Sequence, residues 1–207
     1  MLTRDYPESY RKIVEQLDLR EGLAFTQHWS AEADFLQLLI DDCHVSRPDM
    51  VLECSSGLST LVLARCCQIA GRGRVLSLEN GPEYAQATRD ALRQYRLDDW
   101  AEVIDAPLID TPLADQAFQW YDLQQLPALQ VDMLVIDGPP GFLQPRSRYP
   151  ALPLLYTRLG KGCRVFLDDA AREDERLLVA QWLAQYPTLR HDFIDTRRGC
   201  SLITLGD

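Results

Sequence analysis

Four short apolar runs in this chain each end in a carboxylate: Val51-Leu52-Glu53, Val75-Leu76-Ser77-Leu78-Glu79, Met133-Leu134-Val135-Ile136-Asp137 and Val165-Phe166-Leu167-Asp168-Asp169. Leucine-rich and β-branched runs of this length, separated by helix-length segments, read as strands of a parallel sheet covered on both faces. Their acidic ends then gather along one sheet edge, where open α/β sheets bind ligands. Carboxylates crowded together repel one another unless hydroxyl or ammonium donors, or a divalent cation, meet them. The pattern therefore points to a binding site as well as to a fold.

A chain of 207 residues suits one well-buried α/β domain and is short for two. Residues 1–207 are read as that single domain, with 1–29 as a helical lead-in or lid and 30–207 as the core. Acidic residues outnumber basic ones 31 to 21, a net charge of -10, which opposes attraction to a nucleic-acid backbone or an anionic bilayer. The six cysteines (Cys43, Cys54, Cys66, Cys67, Cys163, Cys200) show no Cys-x-x-Cys spacing and mostly lie in apolar segments. They read as reduced core residues, and the cytosol follows as the expected location. The N-terminus has no apolar targeting region, and no apolar run approaches membrane-spanning length. Trp29, Trp100 and Trp120 either support a homodimer or cover the domain's own core.

Strands and helices alternate along the chain. Ser30 followed by Glu32, Asp34 and apolar residues at helical spacing opens a helix that ends before Arg47-Pro48. The first strand ends at Glu53, and Ser55-Ser56-Gly57 turns into a helix carrying Leu61, Val62, Ala64 and Cys66. A second strand ends at Glu79, a helix runs from Pro82 to about Tyr95, and Ala101 to Ala106 reads as a third strand. A short helix is expected around Ala114 to Leu123. After the strand ending at Asp137, Gly138-Pro139-Pro140-Gly141 continues neither strand nor helix, so a loop leaves the sheet directly behind that carboxylate. A helix near Leu152 to Leu159, a strand to Asp169 and an amphipathic helix from Ala170 to Gln185 follow. Leu189 to Ile194 and Cys200 to Leu205 then form an antiparallel pair around Arg197-Arg198-Gly199.

The turn Glu53-Cys54-Ser55-Ser56-Gly57-Leu58-Ser59-Thr60 ends a strand in an acid, tightens through small residues and opens a helix whose free amides can approach a ligand. Glu79 ends the next strand about twenty residues later, where a carboxylate accepts hydrogen bonds from vicinal ribose hydroxyls. A dinucleotide site shares both features. Yet only Gly57 of the Gly-x-Gly-x-x-Gly pattern is present, and Glu53 suits a cationic amino-acid moiety better than a pyrophosphate.

With these residues in place, the segment resembles motif I of class I S-adenosylmethionine-dependent methyltransferases, particularly the small-molecule branch with an acid-x-Gly-Ser-Gly-x-Ser-Thr turn. Ser55 stands where that branch usually has its first glycine. The resemblance covers roughly residues 30–205 and implies a Rossmann-like, doubly wound, mostly parallel seven-stranded sheet, closed by an antiparallel hairpin and flanked by helices on both faces. It also implies that Glu53, Ser55 and Gly57 line the methionine portion of S-adenosylmethionine. Glu79 would then hold the ribose, Asn80 would border the adenine, and Asp105 and Ala106 would reach its amino group. Asp105 is equally readable as a solvated strand-end acid.

Asp137, Asp168 and Asp169 end two strands expected to be neighbours. Three converging carboxylates call for neutralisation, and hard oxygen ligands select Mg2+ or Ca2+. The trio resembles the metal sites of catechol O-methyltransferase-like and antibiotic-sugar O-methyltransferases, which implies an ion that holds two substrate oxygens and lowers the pKa of the one methylated. The alternative is that Asp168 or Asp169 caps the next helix while Asp137 borders the cofactor.

Methyl transfer requires alignment and sometimes removal of a proton. Residues 138–150 contain no lysine to act as the base. Asp137 or Asp169 are the candidates for deprotonation, and His28 faces the site only if the N-terminal segment folds over it. Arg146, Arg148 and Tyr149 either bind an anionic substrate group or form a salt-bridged surface loop. Arg172, misplaced for a helix start, competes with a metal for Asp168 or Asp169. The expected activity is O-methylation of a small hydroxylated metabolite or sugar. Two rivals remain: a non-catalytic interaction module that kept the nucleoside pocket, and a nicotinamide-dependent reductase.

Overall fold

Side chains alternate along a strand, so a run that is apolar throughout must be covered on both faces. A computed structural model, which describes residues 2–113 and 116–206, shows that arrangement. A 3-10 turn (Glu8–Tyr10) and helices α1 (Arg11–Gln16) and α2 (Ala33–Ser46) precede β1 (Met50–Cys54), α3 (Leu58–Ala70), β2 (Arg74–Glu79), α4 (Pro82–Gln94) and β3 (Ala101–Asp105). Then come β4 (Leu108–Leu113), β5 (Gln116–Tyr121), β6 (Val131–Ile136), α5 (Ala151–Leu155), β7 (Leu159–Leu167), α6 (Glu173–Gln185), β8 (Arg190–Ile194) and β9 (Cys200–Thr204).

The main sheet has seven strands in the order β3-β2-β1-β6-β7-β9-β8. The first five in that order are parallel, and β9 runs antiparallel to both β7 and β8. Val51, Met133, Val135 and Phe166 point to one face, where they join Phe35, Leu36, Leu39 and Ile40 of α2 and Leu61 and Val62 of α3. Leu52, Leu134, Ile136, Val165 and Leu167 point to the other, against Leu152 of α5 and Leu178 and Trp182 of α6. All six cysteines are free and buried, consistent with small apolar core residues. Among the described residues no helix is long and apolar enough to cross a membrane.

The N-terminal segment is fastened to the body. Thr3 and Leu23 form an antiparallel bridge, the Tyr10 hydroxyl donates to the Ala31 carbonyl at 2.8 Å, and the Tyr95 hydroxyl donates to that of Gly22 at 2.8 Å. Ile13, Val14, Leu17, Leu19 and Leu23 are buried in the α2 and α3 layer.

The expected helix around Ala114 to Leu123 is corrected. Ala114 lies outside the described residues, but Gln116–Tyr121 is strand β5, paired antiparallel with β4 in a separate two-stranded sheet. Phe118 and Trp120 are buried while Gln119 between them is not, a period of two that the helical reading overlooked.

Candidate active site

β1 adjoins β2 on one side and β6 on the other, so the chain winds away from β1 in both directions and the strand ends part there. The ladder runs one residue beyond the strands: Ser55 N–H donates to the Leu78 carbonyl at 2.9 Å, Asp137 N–H to Cys54 at 3.2 Å and Asp168 N–H to Ile136 at 3.1 Å. This register brings Glu79, Asp137 and Asp168 level with Ser55 and leaves Glu53 two residues below them, opposite Ser77 and Val135. A cavity of about 840 Å³ opens over them. One wall is the Ser55–Ser59 turn with Glu79, Asn80 and Tyr84; the other holds Asp137, Phe142, Arg148, Asp169 and Arg172.

The turn is built from beneath. Glu53, expected on the cavity wall, is fully buried and absent from it. Its Oε2 accepts the Ser77 hydroxyl at 2.6 Å and the Thr60 hydroxyl, and Thr60 Oγ1 accepts Gly57 N–H at 3.1 Å. Burial pushes the Glu53 carboxyl up, while the hydroxyls of Ser59, Ser77 and Thr60 pull it down. Glu53 therefore shapes the turn instead of touching the ligand. Gly57 (φ 147°) has open space where a Cβ would project, so a ligand can approach its backbone. A Cβ on Gly138, across the switch point, would collide with the Tyr121 hydroxyl and come within 3.0 Å of Ser55 Cβ.

Ser55 has φ 108°, a region that favours glycine. Strain of this kind costs on the order of 1 kcal/mol or more and collects at ligand sites. Ser55→Gly is expected to raise the melting temperature by about 2–4 °C, the shift that relief of roughly 1 kcal/mol gives in a domain this size. A fall in a thermal unfolding scan would contradict the strain argument.

Glu79 stands at the cavity with both oxygens engaged. Oε2 accepts the backbone and side-chain donors of Ser56, each at 2.9 Å, and Oε1 accepts Gly81 N–H at 2.8 Å. Burial raises its pKa and these donors oppose the rise. Asn80 also lines the cavity, whereas Asp105 and Ala106 do not. Asp105 pairs with Arg89 at 2.8 Å. Ala106 is buried, its N–H donating to the Glu79 carbonyl at 2.8 Å.

The expected gathering of carboxylates is present: Asp137, Asp168 and Asp169 each offer an oxygen within 4.8 Å of the others. Their charge is met from within the chain. Arg148, 3 % exposed, directs Nη2 to Asp169 Oδ2 at 2.9 Å, to Asp137 Oδ1 at 3.2 Å and to the Asp137 carbonyl at 2.6 Å. Its Nη1 donates to the Asp168 carbonyl at 2.9 Å and lies 3.9 Å from Glu175 Oε1. Arg172 Nη1 takes the same Asp169 oxygen at 2.9 Å. Burial pushes the Asp137 carboxyl up to about 6, with Arg148 pulling down and Asp169 pushing up. Burial, then Asp137 and Asp169, hold the Asp168 carboxyl well above the usual range. Asp168 lies behind the cavity wall and uses Oδ1 to accept Asp169 N–H at 2.8 Å; no side chain caps α6. A divalent ion requires six or more oxygens at 2.0–2.6 Å, roughly, and a guanidinium nitrogen already stands between Asp137 and Asp169. As arranged, these residues do not fit a divalent ion.

At the mouth, Trp29 meets Tyr84 and Phe142 with ring centroids 6.3 and 6.1 Å apart. His28 lines the cavity beside it. Trp120 is fully buried and Trp100 packs against the core, so of the three tryptophans considered for a homodimer only Trp29 is prominent at the surface, and it faces the site. Sequence reasoning overlooked Tyr84 and Phe142, and left Arg148 open between an anion-binding and a surface-loop role, neither of which is the buried, carboxylate-bound position it occupies. The signal for Phe142 was available: a large apolar residue one step after Gly138-Pro139-Pro140-Gly141, in a loop that must leave the sheet at the ligand edge.

A mostly parallel seven-stranded sheet, with its β7–β9–β8 antiparallel edge and acids aligned over the switch point, defines the class I methyltransferase fold. The family model described as a methyltransferase domain matches residues 52–170, more than half of the chain, and the chain belongs to that family. Among solved structures, an O-methyltransferase from Bacillus cereus in complex with SAH is similar at 15 % identity, covering 98 % of this chain and 92 % of that one, with a TM-score of 0.67. The O-methyltransferase TomG from Streptomyces achromogenes, in complex with SAM, is 12 % identical over 100 % and 92 % of the two chains, with a TM-score of 0.66. Cofactor-bound Rv0187 from MTB is 21 % identical over 98 % and 91 %, with a TM-score of 0.65. At these identities the likeness is one of fold. A comparison with curated proteins finds no match.

Proposed function

We propose that this chain transfers the methyl group of S-adenosylmethionine to an oxygen of a small hydroxylated metabolite or sugar. One observation carries the reading: a single cavity joins a nucleoside-type wall, with Glu79 beside the Gly57 turn, to a second wall where Asp137 and Asp169 face the same space. The cofactor fits this cradle, because Gly57 leaves its approach open and Glu79 places a carboxylate at the end of the second strand. Ser55, Gly57, Glu79, Asn80 and Asp137 would hold it, and when bound it supplies an electrophilic methyl group on a sulfonium. Residues 1–207 act as one domain in this reading, and six free, buried cysteines support a reducing compartment such as the cytosol.

Asp137 is the group placed to remove the acceptor's proton. It lines the cavity, partly exposed to it, and its raised pKa brings its basicity closer to that of a hydroxyl than an ordinary aspartate's. Asp169 holds Arg148 and Arg172, so its role is to keep that cation network in place. Because the base works only when ionised, kcat/KM is expected to fall about tenfold per pH unit below about 6. Asp137→Asn should lower kcat and flatten that limb; an unchanged acid limb in the variant would assign the proton to another group.

The reading is tested by calorimetric titration of S-adenosylmethionine and S-adenosylhomocysteine, with NAD as control, followed by a screen of hydroxylated acceptors. Binding of both adenosyl compounds with turnover supports it. NAD binding in their place supports a reductase, and adenosyl binding with no turnover on any acceptor supports an interaction module.

A further inference from the structure

We propose that Arg148 is the resident cation of this site, standing where a divalent ion would otherwise hold Asp137 and Asp169; this rests on the methyl-transfer reading above. The loop behind Asp137 returns Arg148 into the protein, where its two terminal nitrogens reach Asp137, Asp169 and the Asp168 carbonyl within 3.2 Å. The arrangement differs from a surface salt bridge because almost all of both partners is withdrawn from water: Arg148 and Asp169 are each 3 % exposed. An ion shared by Asp137 and Asp169 would have to lie between their oxygens, and Nη2 is already there. Coulomb repulsion from a fixed positive charge a few ångströms away adds to that steric conflict. Arg172 strengthens the block, since its Nη1 takes the same Asp169 oxygen at 2.9 Å.

Arginine suits this task better than lysine. It stays charged over the whole working pH range, and its planar fork reaches several acceptors at once. A chelator cannot remove it. Two aspartate oxygens of the trio, Asp168 Oδ2 and Asp169 Oδ1, are buried without a partner, as is Glu175 Oε2 beside them. They are the ligands a small ion would find first if the guanidinium were withdrawn.

The difference has a consequence for the acceptor. An ion with open coordination positions binds two vicinal oxygens together, whereas both terminal nitrogens of Arg148 are already engaged by the protein. The acceptor therefore needs only one hydroxyl near Asp137, and the vicinal pair expected from the aspartate trio is not required. Arg148 acts as a positioning residue, holding Asp137 and Asp169 together in one geometry.

Mn2+ alone, titrated into chelator-stripped protein and followed by calorimetry and by loss of the free-ion paramagnetic resonance signal, tests the idea without reference to activity. The wild type should show no stoichiometric site and no change in melting temperature between Mn2+ and EDTA. Arg148→Ala should gain one Mn2+ site that Asp168→Asn removes in the double variant, and Mn2+ should restore part of the thermal stability that Arg148→Ala loses. Arg148→Lys, which keeps a cation, should gain none. A one-to-one Mn2+ site in the wild type that Asp168→Asn abolishes overturns the proposal, and this arm needs no arginine variant to fold. A folded Arg148→Ala protein that binds no Mn2+ also overturns it. Failure of S-adenosylmethionine binding sinks the methyl-transfer reading yet leaves the ion titration interpretable.

Discussion

Arg148→Met is expected to lower the melting temperature by roughly 10 °C, because breaking a buried charge cluster from one side costs about 3–5 kcal/mol and each kcal/mol moves a domain of this size by about 2–4 °C. Methionine fills much of the arginine's volume, so the loss reports charge rather than a cavity. What remains is Asp137, Asp168, Asp169 and Glu175, with Asp168 fully buried and Asp169 and Glu175 at 3 % exposure. Arg148 lowers the carboxyl pKa of Asp137, Asp168 and Glu175. Without it their folded-state values rise further above those of the unfolded chain. The folded state then binds more protons than the unfolded one in that window, so stability falls as pH rises through it. The deficit of Arg148→Met relative to wild type should accordingly be larger at pH 8 than at pH 5 in denaturant melts. A deficit independent of pH would show that packing, rather than the charge cluster, holds the residue in place.

Glu79→Ala is expected to weaken S-adenosylmethionine at least about tenfold in the calorimetric titration, since three of the carboxylate's acceptor positions are taken by the protein and one further hydrogen bond to a charged acceptor is worth roughly 1.5–3 kcal/mol. Part of that loss comes from the protein itself. Glu79 Oε2 holds the Ser56 backbone and hydroxyl, and Oε1 holds Gly81 N–H, so the same carboxylate shapes both turns that flank the cofactor wall. Glu79→Gln keeps one acceptor oxygen and should fall between the wild type and the alanine variant. Binding within threefold of wild type in Glu79→Ala would place the nucleoside elsewhere.

The fold was legible because its main signals are local. An apolar run with an acid at its end states both that a strand is buried and where it stops, and helix-length spacers require parallel crossovers. That reasoning was weakest for β4 and β5, where polar and apolar residues mix without clean periodicity and a short helix fits nearly as well. Of the acids, Glu79, Asp137 and Asp169 reach the cavity, while Glu53, Asp105 and Asp168 do not. The last residue or two of a strand fixes the end of the ladder, but which way the side chain then points depends on the neighbouring strand and the turn.

By itself, then, the sequence determined a mostly parallel sheet with a row of carboxylates over its switch point, because strand periodicity and acidic strand ends are written in consecutive residues. Only the tertiary structure decided what neutralises that row. Arg148 lies 11 residues from Asp137 and 21 from Asp169, and no local pattern distinguishes an arginine that stays in solvent from one that folds inward. Burial at the centre of four carboxylates is energetically possible only when the loop behind Asp137, the end of β7 and the start of α6 converge, and that convergence is a property of the packed chain.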